Sequence, residues 1–147
     1  MKYVHYQKLS RELNSTCNIC GNLSTLTWDH VPPKNSFNCF PIKYNPLLIV
    51  QAKDEIVKEA TSQNGVKFRT ICSQCNNELL GKEYDPAMKQ YSEFLRKYLI
   101  EEIDVPEELT VKIKINRLCR AICGHLIAAL VPYDNIINLA TKYFLKL

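Results

Sequence analysis

Two short stretches, Cys17-Asn-Ile-Cys20 and Cys72-Ser-Gln-Cys75, constrain the fold of this chain more than any other feature. Each sets two thiolates three positions apart, and Gly21 follows the first pair where a tight turn is needed. Four sulfurs complete a tetrahedral shell for one structural Zn²⁺. Such a shell has no open position, so its metal holds the fold rather than reacts. It also requires residues 21–71 to fold back on themselves. Three further cysteines, Cys39, Cys119 and Cys123, bring the total to seven. An odd count behind a start that lacks an apolar signal segment argues for a metal site over a disulfide scaffold. Redox-active Cys-x-x-Cys chemistry needs a βαβ context that the pattern lacks. A redox or zinc-storage protein is therefore the weakest reading.

With 147 residues, 46% of them hydrophobic and 23% charged, the chain suits one domain with a moderate core. No apolar run reaches the ~18 residues of a membrane span. The expected location is the cytoplasm, with no membrane partner. Charge is uneven. Residues 1–72 carry nine Lys/Arg and five Asp/Glu, residues 73–111 four and nine, and residues 112–147 six and one. A basic–acidic–basic chain can offer a polyanion two surfaces, or it can simply be well solvated.

The local patterns give a coarse order. Residues 1–14 suit a short helix. Leu26 to Trp28 suits a strand, and Val31-Pro32-Pro33 leaves it as extended chain. Residues 36–46 read as loop, Leu47 to Val50 as a strand, and residues 53–61 as helical turns. Asn64-Gly65 signals a hairpin, and Lys67 to Ile71 alternates as a strand. Asp85-Pro86 reads as a helix N-cap with Pro at the first position. Met88, Tyr91, Phe94, Leu95, Tyr98 and Leu99 then recur at helical spacing. Val111, Ile113 and Ile115 alternate like a strand. Leu118, Ile122, Leu126, Ile127 and Leu130 mark a second helix, and Asp134 caps a last one. His125 on the second helix reads as a packing or surface histidine.

Between the cysteine pairs stands Thr27-Trp-Asp-His-Val-Pro-Pro-Lys34. A neutral imidazole, here His30, can take a proton from water near pH 7. A carboxylate, here Asp29, can hold a hard cation such as Mg²⁺. Successive strand residues face opposite ways, so the two can share one site only if the backbone is irregular there.

The first cysteine pair, the Thr27–Lys34 stretch and Ile71-Cys-Ser-Gln-Cys-Asn-Asn-Glu-Leu-Leu-Gly81 together resemble the HNH endonucleases with a Cys₄ zinc, over roughly residues 17–85. The resemblance implies an α+β fold: a small zinc-stabilised ββα-metal (treble-clef-like) core over residues 15–100, then a helical C-terminal extension, 101–147, in a single domain 1–147. It implies that His30 is the general base and Asp29 a ligand of a catalytic Mg²⁺ or Mn²⁺. Asn76 stands where many members have their last histidine, and its amide oxygen is an acceptable ligand. Lys67 falls near the position of the family's middle Asn, with Asn64 the nearest Asn. Glu83 or Asp85 would complete the metal shell. Lys34 and Arg69 are the candidates for flanking phosphates. The expected activity is hydrolysis of phosphodiester bonds in DNA, with RNA as the other polymer, of the kind used in phage defence. The alternative is a non-catalytic zinc-finger module that binds nucleic acid or a protein partner.

Overall fold

The computed structural model describes residues 9–38, 40–44, 60–100 and 104–131. These form a mixed α+β unit. Strands Asn14–Thr16 (β1), Leu23–His30 (β2), Ile42–Tyr44 (β3), Ala60–Ser62 (β4) and Lys67–Cys72 (β5) precede the helices. One antiparallel sheet has the order β1-β2-β5, and β3 pairs with β4 in a small second sheet. Gly65, at φ 70°, turns the chain from β4 into β5. The turn expected at Asn64-Gly65 is therefore present, but its flanking strands pair elsewhere rather than with each other. A Cβ at Gly65 would collide with the Asn38 side chain and carbonyl, so only glycine fits.

The β2–β5 ladder shifts register between Thr27 and Trp28, where Thr27 faces Ile71 but Trp28 faces Arg69. The shift breaks the two-residue alternation. Leu26 and Asp29, three positions apart, are both buried, whereas Trp28 is exposed. The irregularity that Asp29 and His30 need thus lies just before them.

After Cys72 the chain becomes one continuous helical rod. Its first part, Gln74–Tyr84, is wound as a π-helix, and Asp85–Ile100 (α1) continues it as an α-helix. The Asp85 N–H donates to the Leu80 carbonyl, five residues back, so Asp85 lies inside the rod and is not the expected N-cap. Pro86, with no N–H to give, sits where the winding changes. The wide winding turns Cys75, Leu80 and Tyr84 inward together.

Helix α2, Ile115–Ala128, packs on both parts of the rod. Its buried stripe is Leu118, Ala121, Gly124, His125, Ile127 and Ala128. Ile122, Leu126 and Leu130, which the apolar spacing had turned inward, are exposed. The small residues win because Gly124 lies against Leu80, where a Cβ would come within 2.5 Å of Leu80 Cδ2. Cys17, Leu26, Ile71, Leu80, Ala121, Ile127 and Ala128 belong to one core, so the sheet and α2 share a single interior. Full burial of a residue such as Leu26, Ile71 or Leu80 contributes about 1.5–3 kcal/mol. Asn18 Nδ2 donates to the Ile127 and Leu130 carbonyls at 2.8 and 2.7 Å, and Thr70 Oγ1 donates to that of Ala128. These bonds satisfy the carbonyls that the end of α2 leaves open.

Several local expectations differ from the structure. Ile42–Tyr44, inside the stretch 36–46 read as loop, is strand β3, and it pairs with Ala60–Ser62, where the end of the stretch 53–61 was expected to be helical. Leu9 to Arg11 is not helical: the Arg11 N–H donates to the Arg69 carbonyl, and the Arg69 N–H to that of Leu9, so this segment lies along the edge of β5. Residues 111–114 form no strand, since among the described residues no strand lies beside them; the Lys112 carbonyl accepts instead from the Gln90 side chain. The helix expected in residues 1–8, the strand 47–50, most of the turns 53–61 and the last helix lie outside the described residues. Among the described residues no helix is long and apolar enough to cross a membrane.

Candidate functional site

The knuckle after β1 and the end of β5 bring the cysteine pairs together. The Sγ atoms of Cys17, Cys20, Cys72 and Cys75 all lie within 4.8 Å of one another. Cys20 and Cys72 are 3.9 Å apart, and the Cys72 N–H donates to Cys17 Sγ at 3.3 Å. The hydrogen-bonded Cys75 thiol, more than the other neighbours, pulls Cys17 down to about 4. The same contact, together with burial, pushes Cys75 up, and burial raises Cys20. Four sulfurs at this spacing fit tetrahedral Zn²⁺, and all four expected ligands converge.

The second centre is a cleft of about 410 Å³ between the end of β2, the Pro33–Asn35 turn and the helical rod. Asp29, His30, Lys34, Asn76, Lys82 and Asp85 line it. Asp29, His30, Asn76 and Lys34 therefore meet on one surface, although they come from separate stretches. Asp85 is present as well. Glu83 is not; it is exposed and paired with Arg117 at 3.5 Å.

His30 Nε2 is buried with no hydrogen-bond partner among the described residues. Burial, then the Lys67 charge opposite it in β5, holds the imidazole below its ordinary value of 6.5, against the opposing pull of Asp29. The ring is thus kept neutral. Asn38 fixes the loop that follows it. Asn38 Nδ2 donates to the Pro32 and Val66 carbonyls at 2.6 and 2.9 Å, and its Oδ1 accepts from the Val66 N–H at 2.8 Å. Asn76 Nδ2 donates at 3.1 Å to both Thr27 Oγ1 and the Trp28 carbonyl. The atom this amide has left to offer is its oxygen, the one that binds hard cations.

The residue that the sequence left aside is His125. It is 2% exposed and stands between two carboxylates. Its Nδ1 lies 3.0 Å from Asp29 Oδ2 and its Nε2 2.8 Å from Asp85 Oδ1. Burial alone would lower the imidazole, but the bonds to Asp29 and Asp85 outweigh it and raise His125 to about 9. With a carboxylate at each nitrogen, the ring donates to both when it is protonated. Each aspartate gives His125 one oxygen. A signal existed in the sequence: Leu118, Ala121, His125 and Ala128 share one stripe of the helix, and a histidine on an inward stripe must find polar partners.

Arg69 lies apart from this cleft. Its guanidinium carbon sits 5.3 Å from the Trp28 ring centroid, and its Nε and Nη2 donate to the Arg11 carbonyl at 3.2 and 2.9 Å. On α2, Arg117 and Arg120 are engaged with Glu83 and with Tyr84.

No family model, curated protein or solved structure matches the chain.

Proposed function

We propose that this protein is a metal-dependent endonuclease of HNH type, with a ββα-metal core, that hydrolyses phosphodiester bonds in DNA. The observation that carries the proposal is the convergence of Asp29, His30 and Asn76 on one cleft beside Lys34. His30, held neutral in the wall of the cleft, would take a proton from the attacking water. Asp29 and Asn76, with Asp85, would hold Mg²⁺ or Mn²⁺ through oxygen. A cation held there would supply positive charge to the reacting phosphate. His125 aims both aspartates while leaving one oxygen of each available. Lys34 and Lys82 hold the phosphate chain on either side. The cysteine cluster, as a structural zinc site, keeps β5 and the start of the rod in register, so that Asn76 follows directly from a fixed Cys75.

Supercoiled plasmid incubated with zinc-loaded protein and Mg²⁺ or Mn²⁺ should be nicked or linearised, and should stay intact when neither ion is added. A second reading has its own support, because a buried Asp–His–Asp bridge also serves folding alone. A protein that cuts neither DNA nor RNA with any divalent metal, yet binds DNA, is the non-catalytic zinc module instead.

A further inference from the structure

Trp28 is the sole tryptophan of the chain, it is 51% exposed, and it stands directly before the Asp29-His30 pair. The ring is also held still, since Arg69, its cross-strand neighbour in the ladder, stacks over it. Trp28 lines the catalytic cleft and also a second recess of about 380 Å³. Leu9, Ser62, Gln63, Asn64 and Lys67 complete that recess. Its chemistry is mixed in a particular way: an aromatic face, an aliphatic side chain, two exposed amides that both donate and accept, and one cation.

We infer that Trp28 and this recess form a subsite for an unpaired nucleobase of the nucleic-acid strand held in the cleft. The inference rests on the endonuclease reading and adds a substrate preference to it. An indole stacks on any base, because every base has a π-face, but within a duplex those faces are already covered by neighbouring bases. The subsite therefore favours single-stranded or locally opened strands. Gln63 and Asn64 offer hydrogen bonds to a base edge, and Lys67 offers a charge to the adjoining phosphate. The subsite lies close to the chemistry. Two residues of strand span about 7 Å, and stacked nucleotides rise about 3.4 Å each, so the stacked base belongs within about two nucleotides of the scissile phosphate.

The lone tryptophan makes the subsite directly observable. Zinc-loaded wild-type protein, with no Mg²⁺ or Mn²⁺ added so that nothing is cut, is titrated with fluorescein-labelled oligothymidylate and with a duplex of equal length. Binding is followed by fluorescence polarisation, and Trp28 by its own emission. The expected result is quenching of Trp28 in step with binding of the single strand, and weaker binding of the duplex. Trp28→Ala should bind the single strand about 5–150-fold more weakly, and Trp28→Phe should recover most of the loss. Single-strand binding with unchanged Trp28 emission overturns the subsite and leaves the endonuclease reading intact. So does Trp28→Ala binding as tightly as wild type. No binding of either nucleic acid overturns the endonuclease reading, and the subsite with it.

Discussion

At the cysteine cluster, four identical donors come from two stretches, each with its own three-residue spacing. At the cleft, different side chains come from β2, the rod and α2, and the link between His125 and Asp29 spans 96 positions. The cluster is closed, because its four donors would use up the coordination sphere of one zinc. The cleft is open, because each carboxylate gives one oxygen to His125 and keeps another. Asn18 joins them, since it lies inside the cysteine knuckle and caps the helix that carries His125.

This contrast predicts a hierarchy of effects. Removing zinc, or Cys72→Ala, should unfold the whole core, because structural zinc contributes about 10–16 kcal/mol of apparent folding free energy. Circular dichroism and elemental analysis would check this. A fully folded, zinc-free Cys72→Ala protein would show that the cluster does not organise the fold.

His125→Leu should act on the cleft but spare the cluster. It leaves the buried Asp29 and the half-buried Asp85 without their shared cation, at a cost of about 3–5 kcal/mol in denaturant unfolding. Zinc content should stay unchanged. The pair also gives a pH signature. His125 is raised in the folded state from 6.5 to about 9, so its stabilisation is full below pH 6.5 and is lost as pH rises through 9. The loss is on the order of 3 kcal/mol. Zinc-loaded protein without Mg²⁺ or Mn²⁺ should show this decline, and His125→Gln should flatten it. An identical decline in that variant would mean another group is responsible.

Gly124→Ala probes the contact that seats α2. The added methyl meets Cδ2 of the fully buried Leu80, which must shift within the core to admit it. Overpacking of this kind costs about 1–3 kcal/mol. A variant as stable as wild type in urea would show that the contact is looser than the structure has it.

The same contrast explains what the sequence disclosed. Cysteine spacing is a local signal, and the four cysteines that converge were legible from it. The strand Lys67 to Ile71 was legible from alternation. His125 was not, because its partners Asp29 and Asp85 are distant in sequence and only the packing of α2 joins them. That packing was itself hidden, since the larger apolar residues Ile122 and Leu126 suggested the opposite face. Asp85-Pro86 resembled a helix start because the preceding turns are π-wound and do not follow the ordinary helical period. Residues 111–114 alternate like a strand, but alternation cannot tell whether a neighbouring strand exists.

The smallest effect should come from the rim of the cleft. Lys34→Ala should weaken DNA binding for all sequences alike and reduce the slope of log affinity against log salt by about 0.9, the share of one phosphate contact. Stability and zinc content should not change. An unchanged salt slope would remove Lys34 from the phosphate path.

The central claim is that His30 acts in turnover and the cysteine cluster in folding. Its most direct test is single-turnover cleavage by His30→Ala beside wild type with saturating Mn²⁺. The account predicts a loss of about 10²–10⁴-fold in rate, with zinc stoichiometry, unfolding midpoint and DNA affinity at wild-type values. Equal cleavage rates for the two proteins would contradict it.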